Sequence, residues 1–573
     1  MPFPLPFPLP LAGASSPDRA GPAGLLDLLA VSVLGAALSL LVTGHVSGTG
    51  NNVFHLGILA GLRDEPQFAG DPFVQSLRHF ASGFWWPFAG RVTSDAYQPL
   101  FLVLAFLSRA LTFLGFLLCA DALGLRSRRQ RLALALLLVY PATMRGISVA
   151  GGGGLFLDGF THSEVANGTT LLMLAAAARR RLAVALALDG VTFFINAFIA
   201  VWNLVPLGLI VATLLAQRRL APGPALRQGL AGLLAFGLAA APVVAAVRDN
   251  PAYGVAAGFD YVAFLRLYYP QHFLVDSIAP PALALLLGWF LAGAVSAYWL
   301  TRTVNVWLVA LCGFALVWLA GAALPRFTQA PALLNLHLLR SSGSIQLLVT
   351  FATVSLAALW LTGADREQAR LWGPLAAFAL VTAHGVLVPA MIPLAWASRR
   401  PRVPAAVSVP RLRWWALALV ALSLLEVAVR QNRDAAERRG EVAAWRSVGL
   451  WARAATPPEA VFLLPCSRGL PGPEIPLCRG SEVFQFHAHR RVWVDFKSGA
   501  AVMWSPPYFA TWYARLVETF VLDDAPARLA YARQQGIGYL VDACPAPAET
   551  ERPVFASGAL CVFAARDGEA PGP

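Results

Sequence analysis

The sequence has few charged residues for its length. Charged side chains make up 13% of the 573 residues, whereas hydrophobic side chains make up 57% and the mean hydropathy is +0.60. Soluble domains carry roughly 25% charged residues. The deficit, together with repeated apolar runs of about 20 residues, excludes a soluble fold and indicates a polytopic α-helical membrane protein.

The basic balance of the chain does not indicate a nucleic-acid partner. The net charge is +13 and the pI is near 10, but the arginines occur in short clusters between apolar runs, such as Arg126–Arg131 and Arg179–Arg181. Clusters of this kind hold loops on the cytoplasmic face of a membrane. We therefore expect the lipid bilayer as a partner and no nucleic acid, and the clusters assign the topology.

The apolar runs predict about thirteen transmembrane helices between residues 25 and 429. The first is Leu25–Val42 and the last is Trp414–Val429, which leaves the cytoplasm because the basic stretch Arg399–Arg413 should stay inside. The proline-rich residues 1–24 lack the basic start and compact apolar core of a signal peptide, so we expect a disordered cytoplasmic lead. An odd number of spans then places residues 430–573 outside the cytoplasm.

The last quarter of the chain differs in composition from the rest. Charged residues become frequent after Arg430, and no apolar run is long enough to span a membrane. Short apolar segments predict strands, and longer amphipathic segments predict helices. The strands are predicted at 460–464, 483–486, 492–496, 538–543 and 559–564, and the helices at 437–455, 508–519 and 525–535. This alternation predicts a small extracytoplasmic α/β domain over residues 430–573.

Cysteine usage fits an extracytoplasmic position for this domain. Cys119 and Cys312 lie within apolar runs, and the other four cysteines, Cys466, Cys478, Cys544 and Cys561, lie in the predicted domain. An even number of cysteines outside the cytoplasm fits disulfides. Of the three connectivities, we favour the local pairs Cys466–Cys478 and Cys544–Cys561, with four free buried thiols as the alternative. No Cys-x-x-Cys or Cys/His spacing supports a zinc site.

The longest polar interval of the membrane part is the predicted first outer loop, residues 44–97. Within it, Asp71 in Gly70-Asp71-Pro72-Phe73 is the candidate reacting carboxylate. A charge is tolerable at the water–lipid boundary, where a lipid-borne substrate can reach it. The alternative, which does not exclude this role, is that Asp71 caps a short helix that starts near Phe73.

Polar residues in other outer loops extend the candidate site. The second outer loop, Leu155–Asn167, holds Asp158, His162 and Glu164, which could form a second acidic or metal half-site or a flexible polar loop. The candidate phosphate or substrate ligands are cations and a histidine near the ends of spans, namely Arg340, His272 and Arg145. An interfacial position, with a snorkelling arginine or an aromatic belt, is the alternative for Arg340 and His272.

The order of these features resembles the GT-C superfamily of integral-membrane glycosyltransferases. Many spans, a long acidic first outer loop, an acidic second loop and an outer α/β domain occur in that order. The segments 456–462 and 490–497 resemble the outer domain of uncharacterised bacterial members. The resemblance implies a catalytic carboxylate in the first loop, here Asp71, and a polyprenyl-phosphate-linked sugar donor. The chain lacks both the Asp-Glu pair of protein mannosyltransferases and the Trp-Trp-Asp signature of oligosaccharyltransferases, so the substrate class and a divalent cofactor, Mg²⁺ or Mn²⁺, stay open.

The expectation is an inverting membrane glycosyltransferase of the bacterial inner membrane. It would move a sugar from a polyprenyl-phosphate-type donor to an acceptor on the outer face, with residues 430–573 as a periplasmic domain. A sugar hydroxyl needs a base as it attacks an anomeric carbon, and the leaving phosphate needs cationic stabilisation. Two alternatives stay open, a transporter or flippase of lipid-linked sugars and a non-catalytic membrane scaffold.

Overall fold

The computed structural model describes residues 22–363, 367–382, 385–398, 409–466, 476–544 and 552–565. The proline-rich lead, most of the basic stretch Arg399–Arg413 and His384 lie outside the described residues. Within them, a layer of long apolar helices carries an assembly of short helices, loops and a five-stranded sheet at one end.

Twenty α-helices occur in the described part of the chain. They are α1 Pro22–Thr43, α2 Asn52–Ala60, α3 Pro72–Ser76, α4 Tyr97–Ala122, α5 Arg128–Leu138, α6 His162–Ala178, α7 Leu182–Ile195, α8 Ala197–Ala216, α9 Pro222–Arg248, α10 Tyr261–Tyr268, α11 Pro280–Thr301, α12 Val306–Ala323, α13 Pro331–Leu334, α14 Ser342–Thr362, α15 Glu367–Val381, α16 Met391–Ala397, α17 Val409–Ala455, α18 Phe484–Ala488, α19 Tyr508–Phe520 and α20 Ala525–Gln534.

Each of the thirteen predicted spans corresponds to a helix, but the helices differ in length. Among the described residues, eight helical segments are long and apolar enough to cross a bilayer, and they contain α1, α4, α8, α9, α11, α12, α14 and α17. The other five predicted spans are the shorter helices α5, α6, α7, α15 and α16. The chain is therefore a multi-pass membrane protein, with eight full-length candidates rather than thirteen.

A network of ion pairs marks one end of the helical layer. Arg131 pairs with Asp27 at 2.8 Å, and Arg179 pairs with Asp121 at 2.7 Å, which joins the ends of α1, α4, α5 and α6. These arginines belong to the clusters predicted to be cytoplasmic. Thr43, at the opposite end of α1, leads into the first outer loop, so the arginine network and that loop lie at opposite ends of the helix.

The C-terminal domain contains the predicted sheet. Its strands β3 Val461–Leu463, β4 Arg491–Val492, β5 Tyr539–Ala543, β6 Phe555–Ser557 and β7 Leu560–Ala564 lie in the order β4-β3-β5-β7-β6, and β1 Gly146–Ile147 pairs with β2 Gly154–Leu155 in the membrane part. β3 is parallel to β4 and β5, whereas β7 is antiparallel to β5 and β6. The α/β prediction is confirmed.

Both predicted disulfides are present. The Cα atoms of Cys466 and Cys478 lie 5.5 Å apart, and those of Cys544 and Cys561 lie 4.8 Å apart. The second bond joins the residue after β5 to β7, as the predicted link between two strands requires. Cα separations of this size are normal for disulfides.

One predicted strand is wrong. Residues 483–486 contribute to the short helix α18, in which all five side chains are buried. Gly449 of α17 packs against Phe484 and His487, so the segment is covered on every side. A short apolar run that is buried all round carries no periodicity, and the sequence pattern could not separate helix from strand.

The last predicted span and the first helix of the C-terminal domain form one continuous helix. α17 runs from Val409 to Ala455, through the boundary predicted at residues 429 and 430. Its C-terminal half shares a core with the domain and with the first outer loop, in which Trp445, Phe462 and Phe484 pack with Trp85 and Tyr97. This shared core fixes the domain against the loop that carries Asp71.

Candidate active site

A cleft opens between the first outer loop and the C-terminal domain. Three acidic residues line it. The lining residues are Val53, Asp71, Pro72, Phe73, Leu464, Ser481, Glu482, Gln485, Val492, Trp493, Val494, Asp495, Ser498, Tyr508 and Arg515. The carboxylates of Asp71, Glu482 and Asp495 come from three separate segments, and only the folded chain brings them together.

Asp71 is both a helix cap and a wall of this cleft. Its Oδ1 accepts a hydrogen bond from Val74 N at 3.0 Å at the start of α3, and Pro72 occupies the first helical position. The predicted capping role is therefore confirmed, while the catalytic role stays a prediction. The side chain is 7% exposed, and burial raises the pKa of Asp71, although the Val74 N–H and Arg515 oppose this change.

Glu482 joins the domain to the first outer loop. Its Oε1 accepts a hydrogen bond from Gly50 N at 2.7 Å, and its Oε2 is buried without a hydrogen-bond partner in the described structure. Burial raises the pKa of Glu482 from 4.5 to about 7, and the neighbouring Asp495 adds to this increase. Burial also raises the pKa of Asp495 to about 6, although its Oδ1 accepts from Lys497 N at 2.7 Å.

Lys497 lies between these carboxylates and a second group of residues. Its Nζ donates to the hydroxyl of Tyr269 at 2.9 Å and lies 4.4 Å from the centre of the Tyr269 ring. The Tyr268 hydroxyl donates to the Lys497 carbonyl at 2.7 Å, which fixes the backbone. The ring of Tyr269 stacks on His272, with 5.1 Å between the centroids.

Arg340 is the centre of this second group. Within the described residues its side chain makes no ion pair, and its Nε is buried without a hydrogen-bond partner. Its positive charge helps to lower the pKa of His162, His272 and His337. Burial and the Arg340 charge hold the pKa of His272 well below its ordinary value, so this imidazole is neutral at pH 7. The sequence candidates Arg340 and His272 are thus neighbours.

The four consecutive glycines before the second outer loop explain how it approaches Arg340. A Cβ on Gly151 would lie 2.1 Å from the carbonyl oxygen of Leu339, and one on Gly152 would lie 2.2 Å from the His272 ring. Gly151 and Gly152 also have φ angles of 123° and 72°. Side chains at these positions would push the loop away, so glycine permits close packing here.

The structure separates the three candidates of the second loop. His162 faces the first outer loop, where its Nδ1 accepts from Trp85 Nε1 at 3.2 Å, and its ring lies 5.2 Å from that of His55. Asp158 pairs with Arg438 of α17. Glu164 accepts hydrogen bonds from Leu157 N at 2.9 Å and from the Ser108 hydroxyl at 3.3 Å, and lies near Arg109.

These partners argue against a metal half-site in the second loop. Mg²⁺ and Mn²⁺ are held by carboxylate oxygens, but Asp158 is ion-paired and both oxygens of Glu164 have donors. Within the described residues, no three His, Cys, Asp or Glu side chains come close enough to hold an ion. The donors predicted for Mg²⁺ or Mn²⁺ therefore do not fit the ion, and no step is assigned to one.

Arg145 does not join the group around Arg340. Its guanidinium donates to the carbonyl oxygen of Tyr140, at 3.1 Å for the nearer nitrogen, and to that of Val381, and it lies over the Tyr140 ring at 4.8 Å. The guanidinium N–H groups that a phosphate would need are thus already hydrogen-bonded to backbone carbonyls. Arg145 ties β1 and α15 together instead.

Neither Glu482 nor Lys497 is among the candidate site residues taken from the sequence. Lys497 carried a usable signal, since it is the only lysine in a chain with 43 arginines. Glu482 carried none, because a single glutamate in a segment predicted to be loop and strand is unremarkable. Its position opposite Gly50 is a long-range contact that only folding creates.

Comparisons with known proteins place part of the site in a recognised domain. Residues 443–519 match a family model described as a domain of unknown function (DUF6798). The match runs from α17 through most of α19 and includes Glu482, Asp495 and Lys497. It covers far less than half of the chain. A comparison with curated protein sequences gives no match.

Two solved membrane proteins have a similar fold. The arabinosyltransferase EmbB from Mycobacterium smegmatis is 15% identical, with a TM-score of 0.37, and the match covers 75% of this chain and 42% of that one. An oligosaccharyltransferase from Archaeoglobus fulgidus, tethered with an acceptor peptide, is 15% identical with a TM-score of 0.39, covering 90% and 69%.

The two neighbours are thus an arabinosyltransferase and an oligosaccharyltransferase. This chain spans less than half the length of the arabinosyltransferase. At TM-scores below 0.5, neither likeness carries a conclusion about donor, acceptor or the role of any residue.

Proposed function

We propose that the chain is a membrane glycosyltransferase that moves a sugar from a polyprenyl-phosphate-type lipid to an acceptor at the outer face. One observation carries the proposal. Arg340 makes no ion pair within the described residues, and it is linked through the neutral His272, Tyr269 and Lys497 to a cleft lined by three carboxylates. A lipid phosphate can meet the cations while an acceptor hydroxyl meets the carboxylates.

The reaction suited to this arrangement is a direct displacement at the anomeric carbon. The acceptor oxygen bonds to the anomeric carbon while the bond between that carbon and the phosphate oxygen breaks. The electron pair of the broken bond leaves with the phosphate. A cleft carboxylate takes the acceptor proton, and the sequence points to Asp71 for this role. Arg340 and Lys497 stabilise the departing phosphate. Attack opposite the leaving group inverts the anomeric configuration.

The proposed location is the bacterial inner membrane, with the C-terminal domain on the periplasmic side. The arginine network around Asp27 and Asp121 supports this orientation, because it lies at the opposite end of α1 from the first outer loop. Arginine clusters stay in the cytoplasm. The two disulfides of the domain also suit an oxidising compartment.

Binding of a lipid phosphate tests the cation site directly. The full chain in nanodiscs is titrated with undecaprenyl phosphate, and binding is followed by protection of Lys497, the only lysine, from an amine-reactive reagent. Arg340→Gln should weaken binding about 10-fold or more, since a charge-assisted contact is lost. Arg326→Gln is the matched control, because Arg326 is exposed on the preceding segment. Equal binding by Arg340→Gln and wild type would contradict the cation site.

Release of the lipid phosphate separates transfer from the two alternatives. The chain is incubated with a panel of polyprenyl-phosphate monosaccharides and cell-envelope acceptors, and free polyprenyl phosphate is quantified. A glycosyltransferase releases it together with glycosylated acceptor. A flippase moves the lipid between leaflets without release, and a scaffold does neither.

A further inference from the structure

Glu482 lies where the C-terminal domain meets the first outer loop. The hydrogen bond from Gly50 N to Oε1, 2.7 Å long, fixes the carboxyl group. Within the described part of the chain, Oε2 is buried without a hydrogen-bond partner, although the side chain lines the cleft. Buried polar atoms in native proteins are nearly always paired. An oxygen left without a donor beside a cleft is placed to receive a hydrogen bond, and then a proton, from a ligand.

Lys497, the cation linked to the group around Arg340, acts on Glu482, whereas different cations act on Asp71. The charges that act on Glu482 are those of Asp495 and Lys497, whereas those that act on Asp71 are Arg515 and Arg491. Lys497 in turn donates a hydrogen bond to Tyr269. The positive charges of Lys497 and Arg340 both lower the pKa of His272. The anomeric carbon of a lipid-phosphate sugar is bonded directly to the phosphate. The carboxylate that takes the acceptor proton must therefore lie close to the cations that hold the phosphate.

We propose that Glu482, rather than Asp71, takes the proton from the acceptor hydroxyl, an inference that rests on the glycosyl transfer proposed above. The acceptor hydroxyl gives its proton to Oε2 of Glu482, and the acceptor oxygen bonds to the anomeric carbon. The bond between that carbon and the phosphate oxygen breaks, and its electron pair leaves with the phosphate. Asp71 is a positioning residue, because its carboxylate caps α3 and so holds Pro72 and Phe73 in the cleft wall.

The protonation behaviour of Glu482 fits this role. Burial and Asp495 raise its pKa to about 7, while Lys497 opposes the increase. A general base works best when its pKa lies near the operating pH. The other titratable or charged side chains on the cleft and on the elements packed against residues 481–483 include Asp71, Asp495, Lys497, Arg515, Tyr508, His55, His487, Asp434, Glu437, Arg438, Arg439, Glu441 and Arg446.

Two isosteric variants separate the carboxylates. Glu482→Gln keeps the oxygen that accepts from Gly50 N, and Asp71→Asn keeps the oxygen that caps α3. We expect Glu482→Gln to lower the rate of polyprenyl phosphate release about 10²-fold or more and Asp71→Asn to lower it less than about 10-fold. Both should bind undecaprenyl phosphate as wild type does. The wild-type rate should rise with pH to a plateau above about pH 7, and Glu482→Gln should lack this rise.

The outcomes distinguish this inference from the proposed function. If Asp71→Asn loses activity and Glu482→Gln keeps it, glycosyl transfer stands and the assignment of Glu482 is wrong. If the wild type releases no polyprenyl phosphate from any donor, the proposed function fails, and the assignment fails with it. If Glu482→Gln does not fold, Glu482→Asp decides, since it withdraws the carboxylate by one methylene. A full wild-type rate in Glu482→Asp would overturn the assignment.

Discussion

The second outer loop and the cleft both contain buried carboxylates, but they use them differently. In the second loop, Asp158 pairs with Arg438, and both oxygens of Glu164 accept hydrogen bonds beside Arg109. In the cleft, Glu482 has an oxygen without a donor, and none of the three carboxylates has a direct ion pair in the described structure. Paired carboxylates stabilise a fold, whereas unpaired ones in a cleft are available to a ligand.

The nearby cations show the same division. Arg109 donates to the hydroxyls of Ser39 at 2.8 Å and Thr43 at 2.9 Å and to the Leu157 carbonyl, and it is 1% exposed. Arg340 makes no comparable set of contacts within the described residues. Both arginines lie among apolar helices, where a cation without a partner lowers the stability of the fold. The contrast predicts that Arg109 serves stability and Arg340 serves binding.

The largest effect on stability is expected from Arg109→Leu. This change removes three hydrogen bonds and leaves Glu164 buried without its cation. Each buried acceptor left without its donor costs about 1–3 kcal/mol, so we expect a total loss of about 3–5 kcal/mol. Thermal unfolding of the purified chain should show this loss, and Arg109→Leu combined with Glu164→Leu should recover part of it. Arg63→Gln, at an exposed arginine, is the control. An unchanged melting temperature for Arg109→Leu would contradict the stabilising role of Arg109.

Lys497→Gln should have the largest effect on transfer after Glu482→Gln. Loss of the ammonium removes positive charge next to the departing phosphate, so we expect about 10²-fold slower release, equivalent to about 2.7 kcal/mol in the barrier. The melting temperature should change little, because among the described residues the Nζ atom donates a hydrogen bond to Tyr269 alone. Arg446→Gln, which breaks an outward-facing pair with Asp95, is the control for charge removal. Wild-type kinetics in Lys497→Gln would exclude it from the site.

A double-mutant cycle on Asp158 and Arg438 sharpens the reading of the second loop. Their side chains are 19% and 33% exposed, and they join that loop to α17. We expect a coupling energy of about 1 kcal/mol from chemical or thermal unfolding. The phosphate affinity of Asp158→Asn should stay at the wild-type value. A large loss of affinity would return Asp158 to the candidate site.

The smallest expected effect is on the pH dependence of stability. Because the folded-state pKa of Glu482 is raised from 4.5 to about 7, its contribution is fully present below pH 4.5 and is lost as pH rises through 7. Between pH 5 and 8, the melting temperature of wild type should fall by roughly 1–2 °C more than that of Glu482→Gln. Asp495 titrates in both proteins, so the difference isolates Glu482. Parallel curves would show that Glu482 is not buried as described.

The sequence predicted the architecture better than the site. Long apolar runs, arginine clusters and cysteine spacing depend on local composition, and they predicted the helices, the C-terminal α/β domain and both disulfides. Local signals failed where packing decides the conformation, as for the buried helix α18 in place of a strand. They also failed for α17, which continues as one helix from an apolar half into a charged half.

By itself the sequence determined that this chain crosses a membrane, because the bilayer requires long apolar helices wherever the chain passes through it. It also determined that Asp71 begins a helix, because an aspartate before a proline satisfies the first free backbone N–H groups. Only the tertiary structure decided which charged groups are already paired. Arg109, Glu164 and Asp158 find partners from distant segments. Glu482 accepts a hydrogen bond from the distant Gly50, but within the described residues neither Glu482 nor Arg340 has an ion pair. Long-range contacts of this kind leave no trace in local sequence.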